Sequence, residues 1–167
     1  MKIMFKVQMT TQYMFDFMLQ HIYRSFQGIF SILAGLGVLT LFICTLGKTD
    51  TVYSLCYLFF GIFFLLYLPF SLWSKAKRQV KLTPMFKKPL EYEVDQRGIR
   101  TSQDEQSEFV PWKNVQKVIN SKLCVIVYIS KVRAFVWPKE AIGDRYDQLL
   151  EMMKKNASAK AYKIRRK

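Results

Sequence analysis

The residues that could do chemistry are few, and their spacing does not suit catalysis. The sequence has one histidine, His21, and three cysteines, Cys44, Cys56 and Cys124. A catalytic nucleophile needs a neighbouring base, and zinc needs several Cys or His ligands at short spacing. The chain has no C-x-x-C pair and no phosphate-loop, G-x-S-x-G or H-E-x-x-H motif. We therefore predict no catalytic residues, no metal, no cofactor and no enzymatic activity.

Two groups of carboxylates are the remaining candidates for acid–base chemistry. Glu91 and Glu93 alternate along one predicted strand, and Asp104, Glu105 and Glu108 fall in or beside a predicted polar loop. Carboxylates at such positions are more often solvated surface than a general acid and base. We predict the surface role for both groups.

The strongest charge pattern is a basic segment that begins where an apolar run ends. Residues 71–88 read SLWSKAKRQVKLTPMFKK, and the whole chain carries a net charge of +14 at pH 7. Residues 74–89 contain six basic and no acidic residues, and residues 154–167 contain seven and none. Residues 90–153 contain nine basic and ten acidic residues, so the excess charge flanks a nearly neutral domain.

Basic segments can bind nucleic acid or anionic lipid. These two lack a set of aromatic stacking platforms between the charges, so we predict no nucleic-acid partner. A Lys or Arg close to an anionic bilayer gains about 1 kcal/mol, which is enough to explain both segments. The predicted contacts with anionic phospholipid head groups are Lys75, Lys77, Arg78, Lys81, Lys87, Lys88, Arg165, Arg166 and Lys167.

Two uncharged runs, residues 28–47 and 52–73, are long enough to cross a bilayer. About twenty helical residues span the hydrocarbon layer, and two adjacent runs of this kind are rare in soluble cores. The four-residue link predicts a transmembrane hairpin, and the basic flanks predict that both termini are cytoplasmic. Small residues, including Gly35 and Gly61, predict close packing, either within the hairpin, which we favour, or between two copies.

The chain divides into five predicted segments. Residues 1–27 form a strand and a helix that follows Thr10 or Thr11. The polar stripe of this helix faces outward and consists of Gln12, Asp16, Gln20, Arg24 and Gln27. The other segments are the hairpin (28–73), a basic juxtamembrane linker (74–89), a cytoplasmic domain (90–155) and a basic tail (156–167). The domain pattern predicts short antiparallel strands and then one amphipathic helix, so the fold class is α+β.

Residues 109–142 resemble the YcxB-like family of bacterial membrane proteins. They read FVPWKNVQKVINSKLCVIVYISKVRAFVWPKEAI. The shared pattern has valines three and six residues after Trp112, a strand ending near Tyr128, and the corner Pro138-Lys139-x-Ala141. The resemblance implies a pleckstrin-homology-like (PH-like) domain with an antiparallel sheet closed by a C-terminal helix, in a bacterial cytoplasmic membrane. It supplies no catalytic residues, and Asn120 stands where members often carry an acid.

These anchor residues have structural or binding interpretations. Trp112 is predicted to close one end of the sheet, and Pro138 to end a strand because proline cannot donate to the ladder. Trp137 is predicted to contribute to the core or to membrane contact rather than to bind a ligand. Partner contacts, if the domain makes them there, would involve Trp112, Tyr128, Trp137, Pro138 and Lys139.

The function predicted from these features is that of a membrane-anchored binding or scaffold domain. Its partners would be the lipid bilayer and a membrane protein or peptide. An alternative, suggested by the resemblance and the charge, is an immunity protein that protects a bacterial producer from a membrane-active bacteriocin.

Overall fold

The computed structural model describes residues 2–23, 25–130 and 133–157. The chain forms two compact units, one built from residues 1–17 and 78–167 and the other from residues 18–77. We call the described part of the first unit the β-domain and the second unit the helix pair. The predicted tail cations Arg165, Arg166 and Lys167 lie outside the described residues.

The structure contains seven strands and five α-helices within the described residues. The strands are β1 (Ile3–Val7), β2 (Leu90–Val94), β3 (Gly98–Gln103), β4 (Gln106–Pro111), β5 (Lys117–Asn120), β6 (Cys124–Tyr128) and β7 (Ala134–Pro138). The helices are α1 (Thr11–Ile22), α2 (Phe26–Thr45), α3 (Thr51–Leu82), α4 (Lys139–Ile142) and α5 (Tyr146–Asn156).

The first sheet has the order β1-β2-β3-β4 and is antiparallel throughout. In β1 buried residues alternate with exposed ones, so Ile3, Phe5 and Val7 face the core while Met4 and Lys6 are exposed. Lys6 Nζ lies 2.6 Å from Glu91 of β2, and Lys2, which precedes β1, has its Nζ 2.9 Å from Glu93. The prediction separated residues 1–27 from the domain, whereas β1 is its edge strand.

The second sheet has the order β5-β6-β7 and supplies the other half of the core. All five residues of β6 are buried, as its β-branched sequence predicts. Trp137 of β7 is fully buried, with the ring of Phe5 5.5 Å away in an edge-to-face contact. Leu149 and Met153 of α5 belong to the same core, so the C-terminal helix covers it.

The turn between β3 and β4 is tighter than predicted. The sequence pattern suggested a loop over residues 102–106, but the strands continue to Gln103 and from Gln106. Asp104 takes the left-handed conformation, with φ of 51°, that a two-residue hairpin requires. Gly98, at the start of β3, is needed for steric reasons, since a Cβ there would lie 2.9 Å from Pro111 Cα.

The predicted helix over residues 12–27 is two helices. α1 ends at Ile22, and Ser25 caps α2 by accepting a hydrogen bond from the Gly28 amide. The predicted outward polar stripe is wrong at one position, because Asp16 is buried. Gln12 is exposed as expected, and Arg24 of the same stripe lies outside the described residues.

The helix pair consists of α2 and most of α3, which pack closely through glycines. A Cβ on Gly35 would lie 2.8 Å from Leu65 Cδ2, and one on Gly61 would lie 2.5 Å from Leu39 Cδ2. Ser31 Oγ donates to the Phe64 carbonyl at 3.1 Å. These contacts support the predicted packing within the hairpin.

α3 continues well past the apolar run that ends at Trp73. It contains Pro69 and ends at Leu82, just before a 3-10 turn at Pro84–Phe86. Pro84 is well suited to start that turn, because its fixed φ fits the first helical position and its missing N–H would have no partner there. Two long apolar helices packed together, antiparallel sheets and a C-terminal helix confirm the predicted α+β class.

The glycine contacts generate a matched pair of substitutions in the helix pair. Gly61→Val places methyl groups against Leu39, whose backbone nitrogen would also lie 3.3 Å from the new Cβ. Nothing lies within 4 Å of a Cβ on Gly37 of α2. We expect Gly61→Val to reduce stability in detergent by about 1–3 kcal/mol, as overpacking does, and Gly37→Val to leave it nearly unchanged.

Unfolding in mixed micelles of increasing dodecyl sulfate, followed by circular dichroism, measures the difference. Both variants replace glycine by the same residue within an apolar helix, so differences in helix propensity cancel. A larger loss for Gly37→Val than for Gly61→Val would contradict packing within the pair and favour a seam between copies.

Candidate binding site

Four of the five predicted partner-contact residues lie in the core. Trp112, Tyr128, Trp137 and Pro138 are buried, so their apolar surface is already used. Trp112 begins a 3-10 turn after β4, and its Nε1 donates to the Asp95 carbonyl at 2.8 Å. This confirms its predicted position at the end of the sheet, and Pro138 ends β7 as predicted.

Lys139 is the fifth predicted residue and occupies a polar corner of the β-domain. Its Nζ donates to the Ser121 carbonyl at 2.7 Å and lies 5.7 Å from the centre of the Tyr146 ring. The lysine thus joins the β5–β6 turn to the start of α5 through a hydrogen bond and a cation–π contact. The hydrogen bond from Lys139 goes to the backbone carbonyl of Ser121 and not to its hydroxyl group, so it stabilises this corner and does not activate the serine as a nucleophile.

A buried carboxylate, missed by the sequence analysis, faces the same corner. Asp16 is only 7% exposed and Ser121 only 6% exposed, and the Ser121 hydroxyl donates to Asp16 Oδ2. The Cys124 amide donates to Ser121 Oγ at 2.9 Å, which fixes the serine in the turn between β5 and β6. A buried carboxylate is costly unless it is hydrogen-bonded, so this contact holds α1 to the second sheet.

The environment makes Cys124 unreactive. The pKa of the Cys124 thiol is raised to about 12, mainly because the thiol is buried and secondly because the carboxylate of Asp16 is near. The thiolate is the nucleophilic form of cysteine, and it is scarce at neutral pH when the pKa is so high. Cys124 therefore behaves as a small buried apolar residue.

Two further contacts hold the first half of α1 to the β-domain. Tyr13 Oη donates to Glu140 Oε2 at 2.8 Å, and this hydrogen bond raises the pKa of Tyr13. The Phe17 ring lies 6.2 Å from that of Tyr128. α1 is therefore docked by a carboxylate–hydroxyl contact at its centre and aromatic residues on either side.

The predicted lipid-contact cations of residues 74–89 are all exposed. Lys77, Arg78 and Lys81 share one face of α3 at helical spacing, with Lys75 at its border. Lys88 differs, because its Nζ lies 2.8 Å from Asp104 in an exposed ion pair. The carboxylates that were predicted to be surface groups lie at the surface, and Glu108 lies 2.8 Å from Arg133.

The described residues contain no group of three or more His, Cys, Asp or Glu side chains arranged to hold a metal ion. The site defined by these residues within the β-domain is thus a polar joint between α1 and the second sheet.

A model of the family described as YcxB-like protein matches residues 94–153, from the last residue of β2 into α5. The match contains the block on which the predicted resemblance rested, and the resemblance is confirmed over these residues. Neither the curated proteins nor the solved structures gave a match to this chain.

The Asp16–Ser121 contact predicts a measurable coupling. Ser121→Ala removes the donor to a buried carboxylate, and a hydrogen bond to a charged group contributes about 1.5–3 kcal/mol. We expect a loss of this size in urea unfolding of the full chain in micelles, followed by tryptophan fluorescence. Ser107→Ala, on the exposed part of β4, should change stability by less than about 0.5 kcal/mol.

A double-mutant cycle isolates the contact. The Asp16→Ala and Ser121→Ala variants together should lose less stability than the sum of the single losses, because each single change strands one polar partner. Strict additivity of the two losses would show that the residues do not stabilise one another.

Proposed function

We propose that this protein is a non-enzymatic integral membrane protein that presents a PH-like binding or scaffold domain at the inner leaflet of a bacterial cytoplasmic membrane. The observation that carries the proposal is the contrast along α3. Its first part is uncharged and apolar, and its last two turns carry a cationic face. A helix of this composition suits a bilayer crossing followed by an anionic head-group layer.

The surface of the helix pair supports the membrane location. α2 and α3 are long and apolar enough to cross a membrane, with mean hydropathies of 2.2 and 2.1 over their most apolar windows. Large apolar side chains point outward along both helices, including Phe26, which is 85% exposed, and Phe70, which is 73% exposed. Exposed apolar surface on this scale needs lipid or a partner to cover it.

The topology of the β-domain supports an even number of crossings. β1 precedes the helix pair and β2 follows it, yet the two strands are paired from Ile3–Val94 to Val7–Leu90. A sheet cannot have strands on opposite sides of a bilayer, so this pairing supports a topology in which both ends of the helix pair lie on one side. The cations after Trp73 then favour the cytoplasmic side for both termini.

The architecture of the β-domain supports binding rather than catalysis. A four-stranded sheet, a three-stranded sheet and a closing C-terminal helix support the PH-like arrangement that the family resemblance implies. Its ionisable groups serve structural contacts: Lys139 binds a backbone carbonyl and Asp16 receives a buried hydroxyl. The immunity role stays a prediction, because no contact of the described residues favours it.

Neutralising the basic juxtamembrane segment tests the proposed orientation. We expect a fluorescent reporter fused after the last residue to lie in the cytoplasm of cells making the unaltered chain. Changing Lys75, Lys77, Arg78, Lys81, Lys87 and Lys88 to Gln should give a mixed population, because the charge bias at the helix exit is lost. Protease protection in right-side-out and inverted vesicles measures the two fractions.

The matched control removes six cations from the β-domain instead. Changing Lys2, Arg97, Arg100, Lys113, Lys117 and Lys122 to Gln alters net charge equally and should leave the orientation uniform. A mixed population from the control alone, or a soluble full-length chain, would contradict the proposal.

A further inference from the structure

The β-domain contains a cavity of about 280 Å³ that is open at one side. Strands from both sheets form its walls, and α1, the end of α3 and the 3-10 turn Pro84–Phe86 form its cover. The apolar wall residues include Leu90, Phe135 and Val136. The volume is near the lower end of ligand pockets, which begin at about 300 Å³, so it suits one slender molecule.

Three methionines cover this cavity from three parts of the chain. Met9 precedes α1, Met14 belongs to α1 and Met85 belongs to the 3-10 turn. Methionine is unbranched and polarisable, so a cover of methionines adapts to apolar chains of different shape. Met9 and Met14 are buried, whereas Met85 is exposed, so the methionines that line the cavity extend from the interior to the surface.

One row of residues leads across the first sheet from the interior to the surface. Tyr92, Thr101 and Glu108 occupy adjacent positions on β2, β3 and β4, and all three line the cavity. Burial raises the pKa of Tyr92, so its hydroxyl group is neutral at physiological pH. Glu108 at the other end is exposed and paired with Arg133, whose Nη2 lies 2.8 Å away and which also lines the cavity.

Thr101 is the polar group within this row that lacks a partner. Its Oγ1 is buried and has no hydrogen-bond partner among the groups that the structure describes. A buried hydroxyl left in this state is unfavourable, so a ligand that supplied an acceptor would bind more tightly. The apolar lining of the cavity therefore suits a hydrocarbon chain. Thr101 and the Arg133–Glu108 pair suit a head group that carries oxygen atoms.

We propose that this cavity binds a single alkyl chain that ends in an oxygen-bearing head group. The chain lies among the methionines, Phe135 and Val136, and the head accepts a hydrogen bond from Thr101 near Arg133. A free fatty acid and one acyl chain of a membrane lipid share this chemistry. Binding of a lipid acyl chain rests on the proposed membrane function, whereas binding of a free fatty acid does not.

Photolabelling of the full chain tests the proposal. The protein is placed in phosphatidylcholine nanodiscs, and decanoic acid carrying a terminal diazirine is added in one arm. In the other arm a phosphatidylcholine carries the diazirine on one acyl chain, and no free acid is present. Mass spectrometry of peptides maps the labelled residues, and labelling of α2 and α3 in the bilayer serves as the internal reference.

We expect label at residues 85–86 and 134–136 relative to that reference, with competition by unlabelled decanoate in the first arm. Ala134→Phe fills the cavity and should reduce this label at least tenfold. Thr101→Val removes the hydroxyl at similar volume and should weaken binding by about threefold to tenfold, the range of one hydrogen bond. Ser107→Phe, on exposed β4 and outside the cavity, should bind like the unaltered protein.

The outcomes separate the possibilities. Cavity label in the fatty-acid arm alone identifies a free acid as the ligand, and label in the lipid arm alone identifies a lipid chain. Label confined to α2 and α3 in both arms, or cavity label unchanged by Ala134→Phe, overturns the proposal. If circular dichroism shows that Ala134→Phe does not fold, the labelling of Thr101→Val is compared with that of Ser107→Phe instead. Weaker labelling of Thr101→Val supports the proposal, and equal labelling of the two variants overturns it. If the reporter experiment contradicted the proposed membrane orientation, the result of the fatty-acid arm would still stand, because it does not depend on that orientation.

Discussion

The pairing of β1 with β2 is the constraint on which the rest of the architecture depends. Val7 faces Leu90, and everything between these two residues is α1, α2, α3 and their connections. The helix pair is therefore an insertion within a β-domain rather than an anchor attached to one end of it. Closing so long a segment costs conformational entropy that grows slowly with length, and an antiparallel hairpin brings the two ends back together. The same strand also supplies core residues Ile3 and Phe5, so the β-domain is incomplete without its N-terminus.

The contact between Asp16 and Ser121 adds specificity to that closure. The other core contacts near it are apolar and would tolerate small shifts of α1 along the sheet. A buried carboxylate has a stricter requirement, because it is stable only where a donor reaches it. Ser121 is itself held by the backbone of Cys124, so the donor has one position. The polar joint therefore sets where α1 lies on the second sheet.

Local patterns in the sequence predicted the elements better than their partners. The uncharged runs gave α2 and α3, the β-branched run gave β6, and Trp112 and Pro138 marked the ends of β4 and β7. The alternation of residues 3–7 predicted a strand but could not reveal that its partner is β2, because register between distant segments leaves no local signal. Asp16 was grouped with Gln12 and Gln20 by helical spacing alone. Its burial depends on Ser121, far along the chain, and the only available sign was an acidic residue in a helix otherwise rich in Phe, Met and Leu.

The two connections between the units fall within helices. The division of the chain lies between residues 17 and 18 in α1 and between residues 77 and 78 in α3. Met14 of α1 and Gln79 of α3 both line the cavity of the β-domain. A molecule in that cavity would touch the segment by which the chain leaves the domain and the segment by which it returns. α1 is held by Ser121 and Glu140, so a molecule in the cavity would contact a helix whose position these two hydrogen bonds already fix.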